Sequence, residues 1–183
     1  YILINLNGDE ISNWYDHIYD FQELHARVKN DNKYSFISKK GEQFPIWFDD
    51  AGDFYNGRAK IKVDKYWGFV SHNGEIAVRA EYDNVNNYSN NIAKVEKNNK
   101  STFIDLNGKV ITDWFDRIYH FSEERAIICK DNKWGYIDIT GRVVIKPIYD
   151  RAFAFSDGEA MVIKNGVTIK IDKQGNEITN ESN

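Results

Sequence analysis

Five aspartates recur in phase along the chain, each directly after an aromatic residue, and carboxylates placed in this way are candidate calcium ligands. A calcium loop collects its oxygen ligands within about a dozen residues, whereas these carboxylates are 33 or 34 residues apart. An aspartate at the end of a strand commonly accepts backbone N–H bonds and starts a turn. We therefore predict that all five cap turns and bind no metal: Asp16, Asp49, Asp83, Asp116 and Asp150.

The histidines and the cysteine give no second candidate for chemistry. The histidines stand at positions 17, 25, 72 and 120, each in a different phase of the pattern, so the sequence predicts no convergence on a metal ion. Cys129 has no phased histidine that would activate it as a nucleophile. Phosphate loops and the common hydrolase motifs do not occur. These observations favour a protein that is not an enzyme and that carries no cofactor.

The elements that position these residues form an internal repeat. Six glycines mark it, at spacings of 33 or 34 residues, and an aromatic-Asp pair and an Ala-x-aliphatic stretch follow most of them in phase. The repeat predicts a single array over residues 1–183 in which the last unit is partial. The marker glycines are Gly8, Gly41, Gly74, Gly108, Gly141 and Gly175.

Each unit has the pattern of three short strands, here named A, B and C in the order of a unit such as WGYIDI, RVVIKPIYD and EAMVIK. Asn-Gly pairs between A and B predict type I′ hairpin turns. The fold class is therefore all-β, an array of three-stranded antiparallel meanders, open and twisted rather than closed as a propeller. The segments between B and C are expected to be loops, and one such as Arg117 to Glu124 has room for a turn of helix.

A two-residue turn at each marker glycine sets a register in which the fourth residue before the glycine faces the third residue after it. The same register pairs the seventh residue before the glycine with the sixth after it, and all five tryptophans lie on this pair. Because the indole comes from strand A in two units and from strand B in three, the sequence predicts one buried volume filled from either side. The tryptophans are Trp67 and Trp134 on strand A, and Trp14, Trp47 and Trp114 on strand B.

Glycine follows both strand-A tryptophans, at Gly68 and Gly135, which predicts a close backbone approach. The stretch Lys133-Trp134-Gly135-Tyr136-Ile137-Asp138 with Gly141 resembles the WG repeats found mainly in bacterial proteins, and Trp67-Gly68-Phe69-Val70 with Gly74 resembles them well. The first, second, fourth and sixth units depart from this motif at the Trp-Gly position. The resemblance spans the chain and implies a β-rich repeat that mediates interactions, with no assigned chemistry.

Strand C changes character along the chain. Its outer face is charged in the first three units, for example Arg27 and Lys60, which predicts a solvated face. The fourth and fifth units replace those charges with apolar residues, which form a candidate contact patch or else are covered by the protein's own chain. The patch consists of Ile127, Cys129, Met161 and Ile163.

These patterns favour a non-catalytic scaffold that binds a protein partner. The alternative is a carbohydrate or cell-envelope binding module that uses exposed aromatics such as Tyr19, Tyr66 and Tyr119. A net charge of −4 argues against nucleic acid, and no apolar run is long enough to span a membrane. A start at Tyr1 within a strand-like run suggests a fragment, from either the bacterial cytoplasm or an exported, cell-surface protein.

Overall fold

A computed structural model describes residues 1–179, and within them all regular structure is β. The end of the partial sixth unit, residues 180–183, lies outside the described residues. No helix of the described chain is long and apolar enough to cross a membrane. The strands are β1 His17–Gln22, β2 His25–Asn30, β3 Lys33–Ser38, β4 Asp50–Tyr55, β5 Arg58–Val63, β6 Tyr66–Ser71, β7 Ile76–Tyr82, β8 Asn84–Val85, β9 Ile92–Lys97, β10 Lys100–Asp105, β11 Arg117–Ser122, β12 Arg125–Lys130, β13 Lys133–Asp138, β14 Val143–Tyr149, β15 Arg151–Ala152, β16 Glu159–Lys164 and β17 Val167–Asp172.

The strands form five antiparallel sheets, which confirms the all-β repeat. Two sheets have four strands, β4 to β7 and β11 to β14, and three have three strands, β1 to β3, β8 to β10 and β15 to β17. Within residues 1–179, strand B forms a continuous strand only in the two Trp-Gly units, as β7 and β14. Elsewhere it touches strand A through single bridges, such as that between Tyr34 and Phe48.

The segments between strands B and C differ from the expected loops. Each is a further strand that pairs with strand C at one edge of its sheet, and β11, which pairs with β12, replaces the turn of helix considered for residues 117–124. Three of these edge strands carry a bulge, for example between Ile18 and Phe21 in β1. The alternation of side chains breaks at the bulge, which is why the sequence pattern does not resemble a strand.

Tight turns join strand C to both of its neighbours. Asp31 and Asn32 have φ of 46° and 60°, so the turn from β2 to β3 is of type I′. Four of the turns from the edge strand to strand C have the same form, for example at Asn56-Gly57, with φ of 50° and 74°, whereas in the turn from β1 to β2 only Glu23 has a positive φ. Asn, Asp and Gly occupy most of these positions because they tolerate positive φ at low cost.

The turn between strands A and B is not the predicted type I′ turn. In the first unit only Gly8 has a positive φ, of 88°, while Asn7 does not. The Gly8 N–H donates to the Asn5 carbonyl at 3.0 Å, and the Asn5 N–H donates to the Asp9 carbonyl at 2.9 Å. This is a longer loop that ends in a bulge at the glycine, and the other five marker glycines repeat both hydrogen bonds.

The longer loop shifts the register by one residue from the predicted one. Ile137 faces Val143 rather than Val144, and Ile37 faces Gln43 rather than Phe44. The predicted apolar pairs are therefore wrong as pairs. Their strand-A members are nevertheless core residues in the second to sixth units, because strand A lies inside its sheet.

The chain divides into two compact units, each of which is larger than a single repeat. The first comprises Tyr1–Lys97 with Ile104–Lys109, and the second comprises Asn98–Phe103 with the chain from Val110 onward. Phased aromatics fill the cores, as the sequence predicts: Phe48 and Phe54 are buried in the first unit, and Tyr149 and Phe155 in the second. The open arrangement of the array stays a prediction.

Candidate binding surface

The two Trp-Gly pairs mark a bulge in the facing strand. Trp67 faces Tyr82 and Trp134 faces Tyr149. The predicted register instead places Ala80 opposite Trp67 and Pro147 opposite Trp134. A Cβ built on Gly135 would lie 2.3 Å from the Ile145 carbonyl oxygen, and one on Gly68 would lie 2.4 Å from that of Val78. The close backbone approach predicted at both glycines is confirmed, since the extra residue of strand B bulges toward them.

The second and fourth repeats, which lack Trp-Gly, place a hydroxyl where the glycine would be. The Thr102 hydroxyl donates to the Thr112 carbonyl at 3.1 Å and also contacts the Thr112 hydroxyl at 2.7 Å. The Ser35 hydroxyl donates to the Ile46 carbonyl at 2.9 Å. Both side chains are buried, so these bonds satisfy carbonyls that strand B leaves outside the sheet ladder.

The predicted shared tryptophan volume is wrong. Trp14 is 65% exposed, Trp47 is 37% exposed, and Trp114 is half-buried. Each directly precedes the aromatic that pairs with strand A, so in an extended strand its indole points to the other face. Trp67 and Trp134 are also only half-buried, although Trp134 packs against the core of the second unit.

Three of the five phased aspartates cap turns as predicted. Asp16, Asp49 and Asp116 each accept the N–H of a turn residue 15 positions later, at 2.9, 2.6 and 2.8 Å. Lysine contacts extend the pattern: the ammonium of Lys33 holds the pKa of the Asp49 carboxyl below its usual range, and Lys133 does the same for Asp150. No group of three or more possible metal ligands occurs within residues 1–179.

Two histidines from different positions of the repeat lie in contact. His25 and His72 approach with their Nδ1 atoms 3.2 Å apart, and Glu23 Oε2 lies 2.7 Å from His72 Nε2. Burial lowers the pKa of His25, and the neighbouring His72 lowers it further. The pair connects two sheets of the first unit, so a pattern within one repeat gives no signal for it.

The four residues of the candidate contact patch differ in their exposure to solvent. Cys129 is only 5% exposed, and burial raises the pKa of its thiol, which lowers its reactivity. Ile127 packs against the core of the second unit. Ile163 is half-buried and Met161 is 40% exposed, so these two alone offer an apolar surface.

The charged outer face of strand C is less solvated than the sequence predicts. The Arg27 side chain is largely covered: Nη1 donates to the Ala51 carbonyl, and Nε lies 3.4 Å from Asp53 Oδ1 in an ion pair. Arg27 therefore connects β2 to the adjacent strand β4 of the next sheet. Its guanidinium carbon also lies 4.0 Å from the centroid of the Tyr19 ring.

A continuous row of partly exposed rings surrounds Arg27 on the first unit. The ring centroids are 5.0 Å apart for Tyr1 and His17, 4.3 Å for His17 and Tyr19, and 6.5 Å for Tyr19 and Tyr34. Arg27 lies over the rings of both Tyr19 and Tyr34. We call these five residues the aromatic strip.

Arg27 also lines a surface pocket of about 430 Å³ on the same unit, beside Trp67. The ammonium groups of Lys60 and Lys62 lie 5.3 and 5.5 Å from the Trp67 ring centroid. We call this depression the tryptophan pocket. Its polar walls combine cations, carboxylates and an amide with two aromatic rings; its lining residues are Arg27, Asp50, Ala51, Gly52, Asp53, Tyr55, Lys60, Trp67 and Asn87.

Successive antiparallel sheets, phased core aromatics and turn-capping aspartates define an all-β repeat protein. The chain belongs to the family of WG-containing repeats, whose model matches residues 3–34, 44–67, 67–100, 102–134 and 134–167. No curated protein matches the chain.

Solved structures resemble the chain only distantly. Hsv2 of Kluyveromyces lactis aligns with 88% of this chain at 8% identity and a TM-score of 0.44, and the chain spans 62% of that protein. A protein of unknown function from Bacteroides caccae aligns with 97% of this chain at 11% identity and a TM-score of 0.32, over 87% of its own length.

Proposed function

We propose that the protein is a non-catalytic interaction module and that the aromatic strip binds a protein partner. The observation that carries this proposal is the unbroken row of partly exposed rings around Arg27. Tyrosine, tryptophan and arginine dominate the energetic centres of protein interfaces. The rings of tyrosine and tryptophan bury a large area at a low cost in side-chain entropy.

Charge narrows the choice of partner. Lys29 lies over the Tyr34 ring of the strip, and Lys60 and Lys62 lie over the indole of the adjoining pocket, while Arg27 is paired with Asp53. Positive charge beside apolar rings complements a segment that presents acidic side chains next to apolar ones. The partner we propose is therefore a protein with an acidic, apolar contact segment.

The experiment places a photo-crosslinking amino acid at Leu24, an exposed residue close in sequence to the strip, and identifies the captured protein. The affinity of that purified protein is then measured for Tyr19→Ala and for Tyr119→Ala. Tyr119 is the matched control because it occupies the same repeat position as Tyr19 but lies in the second compact unit. It is 46% exposed and contacts Trp134.

We expect Tyr19→Ala to weaken binding by roughly tenfold or more, as loss of an interface anchor does, and Tyr119→Ala to change it by less than about twofold. Equal affinities for wild type and Tyr19→Ala would reject the strip as the contact surface.

The tryptophan pocket favours a second candidate, carbohydrate binding. Trp67 and Tyr55 supply aromatic faces, while Asp53 and Asn87 supply hydrogen-bonding groups in the same depression. Ligand sites combine such apolar walls with a few placed polar groups. A glycan that binds wild type and Tyr19→Ala equally but is lost with Trp67→Ala would replace the first proposal.

A further inference from the structure

The first residue of strand C contacts the turn between strands A and B of the next sheet. Arg58 Nε donates to the Leu106 carbonyl at 3.0 Å. Arg125 donates through Nε and Nη2 to the Lys173 carbonyl, both at 3.2 Å. Both contacts join residues 48 positions apart. We call such a contact between successive sheets a joint. Since a guanidinium keeps its proton at every physiological pH, these two joints are insensitive to acid.

His25 occupies the same position of its repeat as these two arginines, and His72 occupies that of Leu106 and Lys173. The joint here is formed by two side chains, whose Nδ1 atoms are 3.2 Å apart. The imidazole rings are inclined by only 22°. Phe54 stacks on His72 at 4.3 Å, and Phe44 meets His25 edge-on at 4.9 Å.

This contact requires a neutral imidazole. One Nδ1 must donate and the other must accept, and an imidazolium has no acceptor nitrogen. When both rings are protonated, the hydrogen bond is lost and two positive charges face each other across a partly buried contact. The aromatic neighbours Phe44 and Phe54 offer neither ring a carboxylate.

Several charged groups surround the pair. A carboxylate oxygen of Glu23 lies 2.7 Å from His72 Nε2. Glu42 favours protonation of His25, but burial and His72 outweigh it, and the pKa of His25 is lowered. Arg58 and Glu75 line the depression beside His72. Protonation of His25 is thus disfavoured while the contact is closed.

We propose that the His25–His72 contact is an acid-sensitive joint between the first two sheets of the first unit, which opens when both imidazoles are protonated. His25 binds a proton more readily in the opened state than in the closed one. The closed joint is therefore fully stable above the ordinary histidine pKa of about 6.5 and loses stability as the pH falls from there toward the lowered value.

The test is amide hydrogen exchange of β2 and of Phe54, corrected for intrinsic rates, at about pH 7.5 and about pH 5.5, on either side of the ordinary histidine value. The opening constant of the wild type should rise at the lower pH, by at most about tenfold, because pH 5.5 lies about one unit below the ordinary histidine pKa. The double variant His25→Arg, His72→Leu copies the Arg58–Leu106 joint and should give a nearly flat response. His120→Gln, in the second unit, should respond as the wild type does.

A wild-type opening constant that is unchanged between the two pH values would overturn the proposal, and so would an equal rise in the double variant. If the double variant does not fold, the titration of the two wild-type imidazoles by NMR decides. The proposal requires His25 to titrate below the ordinary histidine range, and a curve for His25 at the ordinary value would reject it.

Discussion

Gly135 has no room for a side chain. The extra residue of strand B brings the Ile145–Pro147 backbone against its Cα, and an added Cβ would lie 2.3 Å from the Ile145 oxygen and 2.7 Å from the Pro147 nitrogen. The Trp-Gly motif therefore couples two features of one hairpin, a missing side chain on strand A and a bulge on strand B. Thr102 shows the other solution, in which a hydroxyl bonds to a strand that does not bulge.

We predict that Gly135→Ala destabilises the protein by about 1–3 kcal/mol or more, because backbone atoms must move to admit the methyl group. The free energy of unfolding in urea measures this loss. Thr102→Ser, at the same position of the fourth unit, keeps the hydroxyl and should cost less than about 1.5 kcal/mol. An alanine variant as stable as the wild type would show that the bulge is not held against the glycine.

The tryptophans test the corrected register. Trp134 packs against the core of the second unit, whereas the Trp14 indole is mostly in solvent. We predict a loss of about 1–3 kcal/mol for Trp134→Ala, less than full burial would give, and a change within about 0.5 kcal/mol for Trp14→Ala. Equal large losses in urea unfolding would restore the shared buried volume.

At the scale of strands and turns, the sequence was informative where its alternation is regular. Strands A and C, the tight turns that join C to A and the phased core aromatics follow from the repeat pattern. The edge strand was missed because its bulge, as between Ile118 and Phe121, interrupts the alternation. The register was missed by one residue because Asn-Gly also fits a longer loop in which only the glycine needs a positive φ.

Turns of successive sheets hold each other through side chains. Glu123 accepts the Asp157 N–H at 2.7 Å and the Gly158 N–H at 2.9 Å, and Lys173 lies 3.4 Å away. Glu23 makes the equivalent contact with the Gly57 N–H in the first unit. Each carboxylate thus satisfies donors in a turn of the neighbouring sheet.

This contact predicts a pH dependence. The Gly158 N–H and its neighbours hold the pKa of Glu123 below its usual range. A lowered folded-state pKa means that the stabilisation is complete above the unfolded value, near 4.3, and is lost as the pH falls through the folded value. Glu123→Gln should therefore lose stability at neutral pH and show a shallower decline below about pH 4.3.

Urea unfolding of the second unit, followed by exchange of Gly158 and its neighbours, measures this decline. Glu124→Gln is the control, because it removes an adjacent carboxylate and leaves the Glu123 bonds in place. Parallel acid profiles for wild type and Glu123→Gln would show that the contact contributes nothing.

At the scale of the whole chain, the aromatic strip is a combination of residues that a single repeat does not contain. Tyr1 and Tyr34 occupy the same position of successive repeats, whereas His17 and Tyr19 occupy two others, and side-chain packing brings their rings together. The His25–His72 joint likewise links two sheets. Periodicity identifies the scaffold because every unit repeats it, but it gives no signal for contacts that occur once.

Each compact unit has a core of its own, and repeat arrays gain stability from each unit and its nearest neighbours. Ile61 in the first compact unit and Ile128 in the second have the same phase and are both fully buried.

We predict that changing either isoleucine to alanine costs about 2–5 kcal/mol and that the loss is largest in the unit that carries the change. Amide exchange measures this for β5 and β12, the strands of Ile61 and Ile128. Ile61→Ala should raise exchange mainly in β5, and Ile128→Ala mainly in β12, because the cavity is adjacent to each. Equal acceleration of both strands by each variant would mean that the chain unfolds as one cooperative block, in contradiction to a division into units.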